Sequence, residues 1–207
     1  MLVSQDVDTF SPEKDGHGYP RPQFRREAWI PLNGMWDFKL DPQSELTQPD
    51  KVTWDQRIKV PFAPETLCSG VGVATFHQTC WYRNVVSAPK LRPGDRLLLH
   101  FGAVDYKATV WVNKLFAIQH SGGYTPFSVD ITDHIRHTDR IEIVVRAEDD
   151  PHDLAKPRGK QDWRLEPHSI WYPRTSGIWQ SVWLEPVPPV RIGKLRWTSN
   201  LTRGRSN

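Results

Sequence analysis

Short runs of alternating apolar and polar residues, punctuated by glycine and proline, constrain this chain more than any other feature. The 13 Gly and 18 Pro fall mostly between those runs. Proline interrupts a central strand and glycine favours turns, so such punctuation marks strand ends. Helical 3.6 periodicity is scarce. Candidate strands lie near 34–40, 78–86, 95–101, 106–112, 115–119, 127–131, 140–147, 178–185 and 191–198. Many short strands separated by turn signals predict an all-β fold, a sandwich or jelly roll.

Side chains alternate across a strand, so each run can be divided into two faces. Leu97, Leu99 and Phe101 share one face, as do Ala108, Val110 and Val112, with Thr109 and Trp111 opposite. Between 178 and 185, Ile178, Val182 and Leu184 take one side, and Trp179 and Trp183 the other. A strand apolar on both faces is covered on both; the second cover must be the N-terminal arm or another domain. The hairpin 106–119 turns at Asn113-Lys114. A two-residue type I′ turn needs positive φ at both positions and favours Gly at the second, so Lys114 is expected to be mildly strained.

Composition narrows the function classes. Lys plus Arg is 27 and Asp plus Glu 24, a net charge of +3. That balance gives no basic footprint for nucleic acid and no charge block for a membrane surface. No apolar run approaches the roughly 20 residues of a membrane span. The 207 residues fall short of the about 250 that a (β/α)₈ barrel uses. The first residues show neither a basic nor an apolar signal region, which predicts a cytoplasmic protein. Cys68 and Cys80 are too few for a disulfide framework or a Cys₄ zinc site, and two buried free thiols are expected.

Several segments together resemble glycoside hydrolase family 2, the family of β-galactosidases, β-glucuronidases and β-mannosidases. They are Leu32-Asn33-Gly34-Met35-Trp36-Asp37-Phe38, Val60-Pro61-Phe62-Ala63-Pro64-Glu65-Thr66 and Trp81-Tyr82-Arg83. The run from Phe101-Gly102-Ala103-Val104-Asp105-Tyr106 to Gly122-Gly123-Tyr124-Thr125-Pro126-Phe127 follows, then Ser176-Gly177-Ile178 through Glu185. Lys114 departs from the Gly common in that family. The resemblance implies a galactose-binding-like jelly-roll sandwich at 29–186, preceded by an extended arm at 1–28. The linker Glu185-Pro186-Val187-Pro188-Pro189 would lead, within 187–207, into the first strand of an immunoglobulin-like domain. The family's barrel with its two catalytic glutamates would lie outside this chain. The isolated chain is then expected to be inactive, with carbohydrate and its own missing domains as partners.

Retaining glycoside hydrolysis uses two carboxyl groups about 5–5.5 Å apart. Glu148, Asp149, Asp150, Asp153, Asp162 and Glu166 cluster late in the chain, but read as solvated loop charges matched by Arg146, Lys156, Arg158, Lys160 and Arg164. As a substrate-binding loop, 149–176 is better placed. It is long, and long loops in compact domains are usually functional. Flat aromatics suit the C–H faces of a sugar, and forked polar groups suit its hydroxyls. Candidate substrate-binding residues in the parent enzyme are therefore Arg158, Asp162, Trp163, Trp171, Tyr172 and Arg174.

In β-galactosidase and β-glucuronidase relatives an Asp shortly before the Ser-Gly-Ile motif reaches the substrate. Registering on Ser176 places Trp171 there, and the nearest upstream acid is Asp162.

Other motifs are weaker. His134-x-x-His137 has a metal-like spacing without a third ligand, and no motif requires a metal or cofactor. Gly122-Gly123 lacks the Lys-Ser/Thr of a phosphate loop and reads as a turn. Asn200-Leu201-Thr202 has the form of a glycosylation sequon. The rival function is a free-standing carbohydrate-binding module. A third reading is an interaction sandwich using an uncovered Trp179/Trp183 face, which would self-associate.

Overall fold

In the computed structural model, residues 18–26, 28–73, 75–200 and 205–206 are described; most of the expected arm, residues 1–17, lies outside them. The strands are β1 (Ile30–Pro31), β2 (Gly34–Asp41), β3 (Gln56–Val60), β4 (Thr79–Ser87), β5 (Arg96–Phe101), β6 (Val104–Asp105) and β7 (Lys107–Val112). They continue with β8 (Leu115–Ser121), β9 (Phe127–Asp130), β10 (Arg140–Glu148), β11 (Gly177–Ile178) and β12 (Val182–Val187).

Two antiparallel sheets face each other. One has the order β1-β12-β5-β9, the other β3-β2-β4-β10-β7-β8. The expected all-β jelly-roll sandwich is what forms. The inward rows are those the alternation marks: Leu97, Leu99, Phe101, Ala108, Val110 and Val112 are all 0% exposed. They meet Ile141, Ile143, Val145, Val182 and Leu184 in one core.

At the β7–β8 turn Asn113 has φ 49° and Lys114 φ 68°, both left-handed as the two-residue turn requires. β3 was not expected from its sequence. Only Ile58 and Val60 point inward there, between exposed Gln56, Arg57 and Lys59. Such charge suits an edge strand.

The run 178–185 is not one strand. Gly177–Ile178 pairs with β6, while Val182–Val187 pairs with β5 and β1. Between them Asn33 reaches in, its Oδ1 accepting from the Val182 N–H at 3.0 Å. Trp179 turns away from Trp183, donating from Nε1 to the Gly123 carbonyl at 2.7 Å.

Trp183 is the residue that needs a second cover, and the arm supplies it. Its ring stacks on His100 with centroids 4.7 Å apart, and Tyr19 meets it edge-on at 6.2 Å. Beside it the buried carboxylate of Glu185 accepts from Tyr19 Oη at 2.6 Å, Arg26 Nη1 at 2.8 Å and Arg21 Nη2 at 3.1 Å. Burial pushes the Glu185 carboxyl up. Contacts from His100, Tyr19 and Arg26 outweigh that and pull it down to about 2. The Trp183 face is therefore closed, not open for association.

Residues 191–198 hold no strand, against expectation. Val190, Ile192 and Trp197 are exposed there, and a lone strand has no ladder partner to form with. The only pairing in this tail, among the described residues, is β13 (Ser199–Asn200) with β14 (Arg205–Ser206). Cys80 is buried, its thiol pushed up to about 12 by burial. Cys68 is a free, exposed thiol and not a buried one.

Candidate functional site

The loop joining β10 to β11 folds back over one end of the sandwich. Its two limbs are tied by backbone bonds, Tyr172 N–H to Lys160 O at 2.8 Å and Asp162 N–H to Tyr172 O at 2.9 Å. This closes an open groove of about 280 Å³ whose walls include Asp105, Tyr124, Gln161, Tyr172 and Trp179. Clefts of this size at loop-covered ends of a scaffold are typical ligand sites.

Gln161 organises the groove. Its Nε2 donates to Asp105 Oδ2 at 2.7 Å and to Tyr124 Oη at 3.1 Å, and its Oε1 accepts from the Thr175 N–H at 2.8 Å. Tyr124 in turn donates to the Arg158 carbonyl at 2.9 Å and meets Trp179 edge-on at 5.8 Å. Asp105 sits on β6, opposite Gly177 of β11. The Gly122-Gly123 turn passes so close that a Cβ on Gly123 would fall 2.4 Å from Asp105 Oδ1. Glycine is needed there for close approach.

Asp105 is only 3% exposed. Burial raises its carboxyl most, and the charge of Asp149 adds to that. Hydrogen bonding from Gln161 and the charges of Lys156 and Arg174 oppose it, leaving the group at about 7. A carboxyl in that range inside an aromatic-lined cleft is the kind of group that functional sites hold. It can accept from a pair of ligand hydroxyls when ionised and donate to one when protonated.

The candidate residues from the sequence divide. Tyr172 lines the groove and is largely exposed. Arg158 contributes its carbonyl to Tyr124, while its guanidinium donates to the Asp153 carbonyl at 2.9 Å. Trp163 and Trp171 meet edge-on at 5.3 Å as a separate aromatic pair on the loop, outside the groove lining.

Asp162 and Arg174 serve the loop itself. The Asp162 carboxylate accepts from the N–H groups of Arg164 at 3.1 Å and His168 at 2.7 Å, and from His168 Nδ1 at 2.6 Å. Arg174, its side chain 9% exposed, forks onto Asp149 through Nε at 3.0 Å and Nη2 at 2.8 Å, with Lys156 on the other Asp149 oxygen. Asp149 and Asp162 are thus buried and partnered, not solvated loop charges. Among the described residues no cluster of His, Cys, Asp or Glu has the makings of a metal site.

Asp105, Tyr124 and Trp179 were not among the sequence candidates. The nearest sequence signal was the pairing of a lone Asp after β5 with the Gly-Gly turn. A second polar cluster has the residue types of a hydrolase triad but not the arrangement. Ser176 Oγ donates to Glu65 Oε1 at 2.7 Å and lies 2.8 Å from His77 Nε2. The carboxylate therefore sits on the serine and not behind the histidine, and Ser176 and His77 are both buried. His77, lowered to about 4 by burial and by the charge of Arg174, is neutral at physiological pH. The cluster ties the end of the loop to the 60s segment.

Comparison with known proteins agrees with this fold. The description "Glycosyl hydrolases family 2, sugar binding domain" matches residues 63–188. The β-glucuronidase of Mus musculus is 26% identical over 91% of this chain and 33% of its own length. A β-galactosidase of Thermoanaerobacter pseudethanolicus is 32% identical over 54% of this chain and 14% of its own.

Among solved structures, Faecalibacterium prausnitzii β-glucuronidase superposes with a TM-score of 0.57 at 24% identity, covering 82% of this chain and 33% of that one. A Ruminococcus gnavus β-glucuronidase gives 0.59 at 21%, over 78% of this chain and 30% of that one. These likenesses show the fold. The chain spans from 11% to 33% of the length of such curated relatives. With the match covering well over half of its residues, this chain belongs to glycoside hydrolase family 2 and carries that family's sugar-binding N-terminal domain.

Proposed function

We propose that the protein containing this domain hydrolyses β-glycosides with retention, and that the Asp105 groove forms one wall of its sugar pocket. The observation that carries this reading is the meeting of a buried carboxyl with three aromatic rings, Tyr124, Tyr172 and Trp179, in one cleft held by Gln161. Aromatic faces suit the C–H surface of a pyranose, and the carboxyl suits adjacent hydroxyls. Asp105 Oδ2 is taken by Gln161, while Oδ1 has no hydrogen-bond partner among the described residues. That oxygen is the one available to a ligand.

The acid and nucleophile of the reaction lie in a barrel beyond this chain, and residues 187–207 open an immunoglobulin-like domain that joins the two. Trp163 and Trp171, with exposed Leu165 and Ile170 beside them, then pack against those further domains, and Tyr172 faces the sugar. The names of the relatives support glucuronides and galactosides as the substrates to try first. In the full-length protein, Asp105→Asn and Trp179→Ala should each lower kcat/KM on nitrophenyl β-glycosides by about tenfold or more. Unchanged kcat/KM in both removes the groove from the site. The isolated 207-residue chain should show no turnover, and metal-independent turnover by pure chain contradicts the placement of the catalytic groups.

A further inference from the structure

A second groove lies on the outer face of the six-stranded sheet. It measures about 350 Å³ and runs between the 49–54 segment and the β7–β8 turn, over Arg83 of β4 and Glu142 and Val144 of β10. The strand β7 separates it from the Asp105 groove. Asp105 precedes Lys107 and Lys114 follows Val112, so roughly 17 Å of strand lies between the two.

The floor is the exposed shoulder of a second apolar cluster, in which Val52, Trp81 and Val144 are buried and Leu46, Trp54 and Trp111 pack around them. Trp81 and Trp111 stack at 5.6 Å. Trp54 is only half-buried, with the Arg83 guanidinium carbon 5.3 Å from its ring centroid. Arg83 is held in turn by Asp37 at 2.8 Å and approaches Glu142 at 3.8 Å.

The wall holds a short turn, with the Val52 N–H to Pro49 O at 3.4 Å, and the chain on either side of it is tied down. The Asp41 carboxylate accepts from the N–H groups of Glu45 and Leu46, both at 3.0 Å, and Lys39 pairs with Asp55 at 2.6 Å. A site on rigid strands with a pinned wall loses little entropy on binding.

The lining charges decide the ligand class. Arg83 and Lys114 stand against Asp50 and Glu142, two of each sign. A balanced lining gives neither the basic stripe that phosphate chains require nor the continuous apolar stripe that an amphipathic helix fills. Hydrogen-bonding forks set around an indole and two valines match an uncharged ligand with hydroxyl edges and C–H faces. We propose that this outer-face groove binds a neutral oligosaccharide chain, at a site separate from the Asp105 groove and independent of its role.

The test titrates the 207-residue chain with cellohexaose and mannohexaose by calorimetry and tryptophan fluorescence, with hexagalacturonate as the charged counterpart. Saturable binding of at least one neutral hexasaccharide with a Kd of about 1 mM or tighter is expected. Trp54→Ala should weaken it at least about tenfold, and Trp179→Ala in the other groove should leave it unchanged. Glu142→Gln and Lys114→Ala, both at exposed or half-exposed positions, provide variants that keep the fold if Trp54→Ala does not; together they should weaken binding several-fold. The proposal is overturned if neither neutral hexasaccharide saturates by about 10 mM, if only the galacturonate binds, or if the Glu142/Lys114 double variant binds as the parent does. Loss with Trp179→Ala alone overturns it too, by assigning the binding to the first groove.

Discussion

Gln161 Nε2 lies 2.7 Å from Asp105 Oδ2, joining residues 56 apart in sequence. That contact fixes the groove, because Gln161 also holds Tyr124 and the Thr175 backbone. Gln161→Leu should therefore loosen the loop and leave Asp105 without its donor. A buried acceptor stripped of its partner costs about 1–3 kcal/mol. Chemical denaturation should show that loss, and faster amide exchange at 158–162 and 172–175 should accompany it.

Asp105 gives a pH dependence of definite sign. Its folded-state value, about 7, is above the ordinary carboxylate value of 3.8. Below the unfolded value both states are protonated. As pH rises from there to about 7, the unfolded state ionises first, so this group's contribution falls. Asp105→Asn should raise the melting temperature at pH 8 and change it little at pH 4. Glu65 is also raised by burial, so the comparison is made between parent and variant at each pH.

The inward rows of the sandwich were legible because alternation of Leu, Val and Phe over five or more residues has one solution, a strand with a buried face. The family was legible by resemblance, through several motifs standing in the family's order, which alternation alone does not supply. The groove was not, because it depends on long-range closure. Asp105 joins a site only once the loop brings Gln161 to it and to Tyr124 of the β8–β9 turn.

The polar residues of that loop carry a second lesson. Asp162 and Arg174 have the right chemistry for a sugar, but a sequence does not show which way a side chain points. Both turn inward, Asp162 to the N–H groups of Arg164 and His168, Arg174 to the buried carboxylate of Asp149. The cover over Trp183 was narrowed to the arm or another domain, and Tyr19, Arg21 and Arg26 decide for the arm.

Gly123 tests the close approach to Asp105. An added Cβ at 2.4 Å from Oδ1 forces the carboxylate or the turn to move. Gly123→Ala should destabilise by about 1–3 kcal/mol. In an Asp105→Ala background most of that cost should vanish, since the clashing atoms are gone. Simple additivity of the two losses in a double-mutant cycle would place the strain elsewhere.

Glu185 anchors the arm. Glu185→Gln leaves the partly exposed Arg21 and Arg26 without a counter-charge, a loss of about 1.5–3 kcal/mol for hydrogen bonds to a charged group. Trypsin should then cut after Arg25 and Arg26 faster than in the parent. Because the carboxyl is held at about 2, below its ordinary 4.5, its stabilisation is complete above pH 4.5 and is lost as pH falls towards 2. Equal cleavage in parent and variant at neutral pH means that the arm is held by its aromatic contacts alone.

Lys114 pays a left-handed backbone cost of about 1–2 kcal/mol that glycine avoids. Lys114→Gly should raise the melting temperature by about 2–4 °C for each kcal/mol recovered in a domain of this size. A fall in the melting temperature contradicts the turn strain.

The most direct measurement is the structure of the full-length protein with a glycoside-derived inhibitor in its active site. The expected result is a sugar hydroxyl within hydrogen-bond reach of Asp105 Oδ1 and a ring face against Tyr172 or Trp179. A sugar held wholly by other domains, with the Asp105 groove filled by protein or left apart from the ligand, would contradict it.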